Sequence, residues 1–134
     1  MRSLFISILL VLLTLVPMAQ TRYWVSDVNA NWNSDNWANS SNGAPDGGGP
    51  PTAAQNARFD VNGSGNCTLN IALDTVTNLE LTNYPATIEF DGNSLRATGT
   101  VTLTSGALDD NSGGSVLTVV STGVNTTFNG RKHL

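Results

Sequence analysis

From Cys67 to Phe128 apolar and polar residues alternate in short bursts. The bursts are Cys67-Thr68-Leu69-Asn70-Ile71, Thr77-Asn78-Leu79-Glu80-Leu81, Thr87-Ile88-Glu89-Phe90, Ser94-Leu95-Arg96-Ala97, Thr100-Val101-Thr102-Leu103-Thr104 and Val116-Leu117-Thr118-Val119-Val120. Alternation with period two marks a strand with one face buried. Between the bursts stand Asn, Asp, Gly and Ser, the residues that turn a chain. There is no room for a helix, so the pattern predicts an all-β body of short strands.

The spacing of the bursts narrows the architecture. A shift of 22 residues lays Leu79 on Val101, Leu81 on Leu103, Leu95 on Leu117 and Ala97 on Val119, although it also lays Ile88 on Asp110. A repeat of about 20 to 25 residues fits one turn of three short strands and three bends. The expected fold is a short right-handed parallel β-helix, a β-solenoid, with a body at 52–130 holding about three turns. Its predicted core is Leu69, Ile71, Leu79, Leu81, Ile88, Phe90, Leu95, Val101, Leu103, Leu108, Leu117, Val119, Val124 and Phe128. The alternative is an antiparallel β-sandwich, for which Asp91-Gly92 and Asn93 would supply a hairpin turn. Short strands and brief links favour the coil.

Upstream of the body the pattern changes twice. Leu4 to Val16 is a run of 13 mostly apolar residues behind Arg2, and Pro17-Met18-Ala19 follow. This order reads as a secretory signal peptide, 1–19, with the mature chain starting at Gln20. The run is shorter than the roughly 20 residues a membrane-spanning helix needs, so no stable membrane insertion is expected once it is removed. The protein is therefore expected to be secreted or held at a cell surface.

Residues 20–51 hold all three tryptophans, Trp24, Trp32 and Trp37, and a loop, Ser40 to Pro51, rich in Gly and Pro. An open coil end exposes its core and its unpaired strand groups. A Trp-rich N-terminal cap folded over the first turn would close it. The competing use of Trp24, Trp32 and Trp37 is an exposed aromatic platform for a glycan such as a cell-surface polysaccharide. Burial of the indoles separates the two. The Gly47-Gly48-Gly49 run lacks the Lys-Ser/Thr and the helix of a phosphate cradle.

Asp27, Asn29, Asn31, Asn33 and Asp35 fall at every second position. Alternate oxygen ligands could wrap a calcium ion, which takes six to eight of them. The EF-hand pattern fails, because Trp32 and Ala38 fall where it needs Gly and Glu. Local turns satisfied by these side chains are the simpler account. No other cofactor is expected.

Charge and cysteine content remove several classes. Without Arg2 the chain carries five basic groups (6 − 1) against ten acidic, a net charge of about −5. The only adjacent basic pair is Arg131-Lys132, in the tail 131–134, so nucleic acid is not an expected partner. Cys67, the single cysteine, cannot form an intrachain disulfide, and its phase with Leu69 and Ile71 predicts a buried thiol.

The order Tyr23-Trp24, Asn31-Trp32-Asn33, Asp35-Asn36-Trp37, glycine-rich loop, Pro50-Pro51-Thr52 and Ala57-Arg58-Phe59-Asp60 resembles the N-terminal part of bacterial secreted right-handed β-helix surface proteins, the autotransporter-associated β-strand type. Asn78-Leu79-Glu80-Leu81, Thr87-Ile88-Glu89-Phe90, Ser94-Leu95 and Thr100-Val101-Thr102-Leu103 resemble their first coils. The likeness covers about 22–128 and implies an adhesin-like stalk of stacked rungs. Family members are usually far longer, and no translocating β-barrel follows in this chain.

Enzymatic chemistry finds little footing. Asp60, Asp74, Glu80, Glu89, Asp91, Asp109 and Asp110 could supply a carboxylate pair for sugar cleavage. The only histidine is His133, and there is no Ser-His-Asp set and no cluster of zinc ligands. No enzyme is expected. Thr98, Thr100, Thr102 and Thr104 could form a flat ice-binding row, but β-branched residues also simply fill outer strand faces. Asn39, Asn62, Asn66 and Asn125 match the glycosylation acceptor pattern. The sequence reads as an exported structural or adhesive module, with self-association through an open C-terminal rung. A carbohydrate-binding module is the alternative.

Overall fold

The computed structural model describes residues 18–121 and 124–129. The expected signal peptide, apart from its last two residues, and the tail 131–134 lie outside them. Strands β1 (Thr21–Trp24), β2 (Ala30–Asn31) and β3 (Trp37–Ala38) form the Trp-rich region. Then come β4 (Asn56–Phe59), β5 (Cys67–Thr68) and β6 (Leu73–Val76); β7 (Leu79–Leu81), β8 (Thr87–Glu89) and β9 (Ser94–Ala97); and β10 (Val101–Leu103), β11 (Ala107–Asp109) and β12 (Val116–Ser121). β13 (Val124–Asn129) completes the described strands.

Every third strand stacks on its predecessor. The sheet orders are β10-β7-β4-β1-β3, β11-β8-β5-β2 and β13-β12-β9-β6. All pairings between coils are parallel. This is a short right-handed parallel β-helix, the hand expected of parallel crossovers. The parallel ladders set aside the sandwich. Asp91 (φ 46°) and Gly92 (φ 80°) make a corner of the coil, not a hairpin.

The 22-residue shift is the real register on the first sheet, where Ala57, Leu79 and Val101 stack, as do Phe59, Leu81 and Leu103. Leu95 meets Leu117 and Ala97 meets Val119 on the third sheet. On the second sheet Ile88 meets Leu108, 20 residues on, because the corner there is two residues shorter. The body holds three full coils. The Trp-rich cap is itself an incomplete first coil, with β1 parallel to β4 and β2 parallel to β5. Two strands run the other way: β3 pairs antiparallel with β1, and β13 with β12.

The core is one continuous column along the coil axis. It includes Trp24, Trp32, Trp37, Phe59, Cys67, Leu69, Val76, Leu79, Leu81, Tyr84, Ile88, Phe90, Leu95, Ala97 and Leu117. Ile71, Val101 and Leu108 pack against it partly buried. Leu103, expected in the core, is 45% exposed. Its phase is inward, but no further rung stands above it among the described residues. The side chains of Val124 and Phe128 lie outside the description.

The corners are held by side chains stacked from coil to coil. Asn78 donates to Asn56 Oδ1 (2.8 Å) and accepts from the Thr100 N–H (2.7 Å). Asn66 accepts from the Thr87 N–H and its own N–H donates to Asn29 Oδ1. Such ladders satisfy corner backbone groups that would otherwise be lost to water.

Candidate functional site at the two ends of the coil

The N-terminal end is closed by aromatic packing. Trp37 lies edge-on to Trp24 (5.3 Å), Trp32 (4.9 Å) and Phe59 (5.5 Å), and Phe59 reaches Tyr84 at 5.1 Å. All three indoles are fully buried. A buried indole N–H needs an acceptor, and each has one. Trp24 donates to the Gly65 carbonyl (3.0 Å), Trp37 to the Trp32 carbonyl (2.7 Å) and Trp32 to the Asp74 carboxylate. The residues considered as a glycan platform thus have no ring face in solvent.

Gly65 is the pivot beneath this cluster. Its carbonyl also accepts from the Tyr84 hydroxyl (2.7 Å). A Cβ there would stand 2.0 Å from the Val28 carbonyl oxygen, so only glycine allows the approach. Tyr84 is pushed well above its ordinary pKa by burial, with Cys67 and Glu89 adding to the effect. Burial also raises the Cys67 thiol, with Glu89 adding to it. Cys67 is a packing residue, as its phase implied.

Above the aromatic cluster lies a charged latch. Arg22 occupies the inward row that continues as Ala57, Leu79 and Val101. It is only 4% exposed. Its guanidinium donates to both Asp46 oxygens (2.7 Å each), to Asn39 Oδ1 (2.8 Å) and to the Gly49 carbonyl (3.0 Å). The Arg22 hydrogen bonds, aided by the Gly48 N–H, lower the Asp46 pKa to about 2. The loop from Asn39 to Gly49 is therefore folded over the end of the coil.

The five residues considered for calcium are spread along β2 and its flanking corners, four of them beside the coil below. Asp27 accepts from the Ser64 hydroxyl (3.2 Å), and Asn29 accepts from the Asn66 N–H (3.0 Å). Asn31 pairs with Thr68 in the ladder, and Asn33 accepts from Asn70 Nδ2 (2.6 Å). Asp35 is exposed in the turn before β3. The side-chain oxygens of Asp27, Asn29 and Asn33 thus serve inter-coil hydrogen bonds at a separation of 37 residues. Among the described residues no group of three or more His, Cys, Asp or Glu could hold a metal ion.

Most of the remaining carboxylates hold the frame. Asp60 accepts from the Ser41 hydroxyl and the Asn62 N–H, and Glu80 pairs with Arg58 at 3.3 Å. Glu89 accepts from Asn66 and Thr68, both at 2.8 Å, and Ser112 donates to Asp91. Asp109 stands beside Glu89 on the next coil, and its Oδ1 is buried with no hydrogen-bond partner. The threonine row is broken at a corner, where the Thr98 hydroxyl donates to the Val76 carbonyl and the Thr100 hydroxyl to Asn78. Only Thr102 of that row is in β10.

The C-terminal end differs in kind. Val101 is half-buried, while Thr102, Leu103 and Ala107 are exposed. β10 and β11 are the last strands of their sheets among the described residues, whereas the third sheet ends in β13. Asp110 closes the last corner, 1% exposed. It accepts from the Ser115 hydroxyl (2.6 Å) and from the N–H groups of Ser115, Gly113 and Gly92. Those donors, Ser115 first, hold its carboxyl below the usual carboxylate range.

No described helix is long and apolar enough to cross a membrane. Compared with protein-family models, with curated proteins and with solved structures, the chain matched none. What stands is the architecture: a repeating three-strand coil, closed at one end and, among the described residues, open on two of its sheets at the other, a form consistent with a structural scaffold.

Proposed function

We propose that this protein is an exported structural module of the cell surface or extracellular space, acting through contacts of its coil and through self-association at the C-terminal rung. The observation that carries the reading is the edge of β10 and β11, on which no further strand stands among the described residues. On β10 it presents Val101 and Leu103 with no proline or charged side chain, the devices by which natural proteins blunt strand edges, while β11 carries Asp109 and runs into the inward Asp110. The likeness to adhesin-like β-helix surface proteins and the signal-like N-terminus support the location. Most of the carboxylates are engaged in hydrogen bonds or ion pairs of the frame, which favours a mechanical or recognition role.

Light scattering of the purified mature chain over a concentration series, with and without calcium, tests this. Mass should rise above the monomer with concentration, equally in both conditions, and Leu103→Lys should abolish the rise. A strict monomer at every concentration would overturn self-association. Assembly only with calcium would point to the Asp27 to Asp35 site.

A further inference from the structure

We propose that the loop from Asn39 to Gly49, latched on Arg22, is an end-block that stops the first coil from accepting the last coil of a second copy. The inference rests on the self-association reading above and adds what limits it. The first sheet is a parallel ladder in which Val101 follows Leu79 and Leu103 follows Leu81. A parallel strand placed on the outer edge of β1 would extend that same ladder. Another copy's β10 is such a strand, and its Val101 would lie over Arg22 and its Leu103 over Trp24.

Two features of this chain occupy that place. β3 takes half of it, running antiparallel opposite Tyr23 and Trp24. Past Ala38 the loop covers the other half, and Arg22 fixes it through Asn39, Asp46 and Gly49. Arg22 is the one charge in a row otherwise made of Ala57, Leu79 and Val101. An inward charge at a sheet end is satisfied only by a partner built for it; an incoming Val101 would strip away Asp46 and leave the guanidinium buried and unpaired. With one end blocked, contacts at the open end give closed, finite species. With both ends open, head-to-tail contacts repeat without closing and make filaments.

The test compares wild type, Arg22→Leu and Arg22→Leu/Leu103→Lys by light scattering and electron microscopy, with circular dichroism to establish that each is folded. Wild type should plateau at a small species. Arg22→Leu should keep growing with concentration into rods, and adding Leu103→Lys should return it to monomer. A folded Arg22→Leu variant with the mass profile of wild type overturns the block, as does growth that Leu103→Lys leaves untouched. A monomeric wild type beside a growing Arg22→Leu variant would sink the self-association of the native chain while establishing the block. If Arg22→Leu does not fold, Arg22→Met, which keeps most of the length of the side chain and removes its charge, decides on the same criteria.

Discussion

The first coil and the last coil are wound alike and finished differently. The first fills its interior with Trp24, Trp32 and Trp37, all fully buried, although it lacks a strand on the third sheet. The last has all three strands, yet Leu103 is 45% exposed. A rung of a solenoid buries its inward residues against its neighbours and not within itself. An end rung therefore needs either bulk of its own or something set upon it. The N-terminal end supplies bulk, an antiparallel strand and a latched loop. At the C-terminal end, among the described residues, only the third sheet receives an extra strand.

The largest effect that would break this contrast is removal of the central ring. Trp37 touches Trp24, Trp32 and Phe59. Trp37→Ala should cost about 3–5 kcal/mol, the range for losing a large aromatic side chain from a packed core. Denaturant unfolding followed by tryptophan fluorescence measures it. A loss below about 1 kcal/mol would mean that the cluster covers the end without supporting it.

A sharper comparison uses one column of the first sheet. Leu81 and Leu103 are neighbours in register, equal in chemistry and opposite in exposure, 1% against 45%. Leu81→Ala should cost about 2–5 kcal/mol, and Leu103→Ala about 1 kcal/mol or less. Both are to be measured at a concentration where the chain is monomeric. Equal losses would mean that the last rung is as well covered as the middle one.

The same column shows what could be read from the sequence. Leu79, Leu81, Leu95 and Ala97 recur one rung later as Val101, Leu103, Leu117 and Val119, and the repeat gave both the coil and its register. Periodicity reports which way a side chain points, however, and exposure depends on what lies beyond it, so a pattern that predicts Leu103 in the core is compatible with its exposure at the last rung. β6 and β11 went unrecognised because they lack clean alternation: in β6, Leu73 points out at 59% exposure and the inward Asp74 accepts the Trp32 indole N–H. The alternation of Asp27, Asn29, Asn31 and Asn33 was visible, but their partners Ser64, Asn66, Thr68 and Asn70 lie 37 residues away, and local spacing carries no sign of that. Arg22 and Asp110 escaped for a shared reason. Each is a charge in an inward position at a coil end, where the rule of apolar interiors gives way to a dedicated set of partners.

Asp110 offers the smallest and most specific test of that difference. The rows of the second sheet, followed two residues past Ala30, Cys67, Ile88 and Leu108, place Trp32, Leu69, Phe90 and Asp110 in one inward line. Three apolar members are succeeded by a carboxylate that turns the chain toward β12. Asn in its place keeps one oxygen acceptor, but sets an NH₂ group where Ser115 and Gly113 donate. Asp110→Asn should cost about 2 kcal/mol at neutral pH, the scale of hydrogen bonds to a charged acceptor. The pH dependence gives the sign. The folded pKa lies below the ordinary 3.8, so the contribution is present above about pH 4 and is lost as pH falls through the folded value. The gap in stability between wild type and Asp110→Asn should therefore be constant from pH 5 to 8 (roughly, since no other shifted group separates the two proteins there) and should narrow below about pH 4. Asp46, whose pKa is also depressed, titrates in both proteins and cancels from the difference. A gap that stays constant into acid would assign the loss to altered packing at the corner. The last coil would then be closed by shape alone, and the charged ends of the molecule would have less in common than Arg22 and Asp110 suggest.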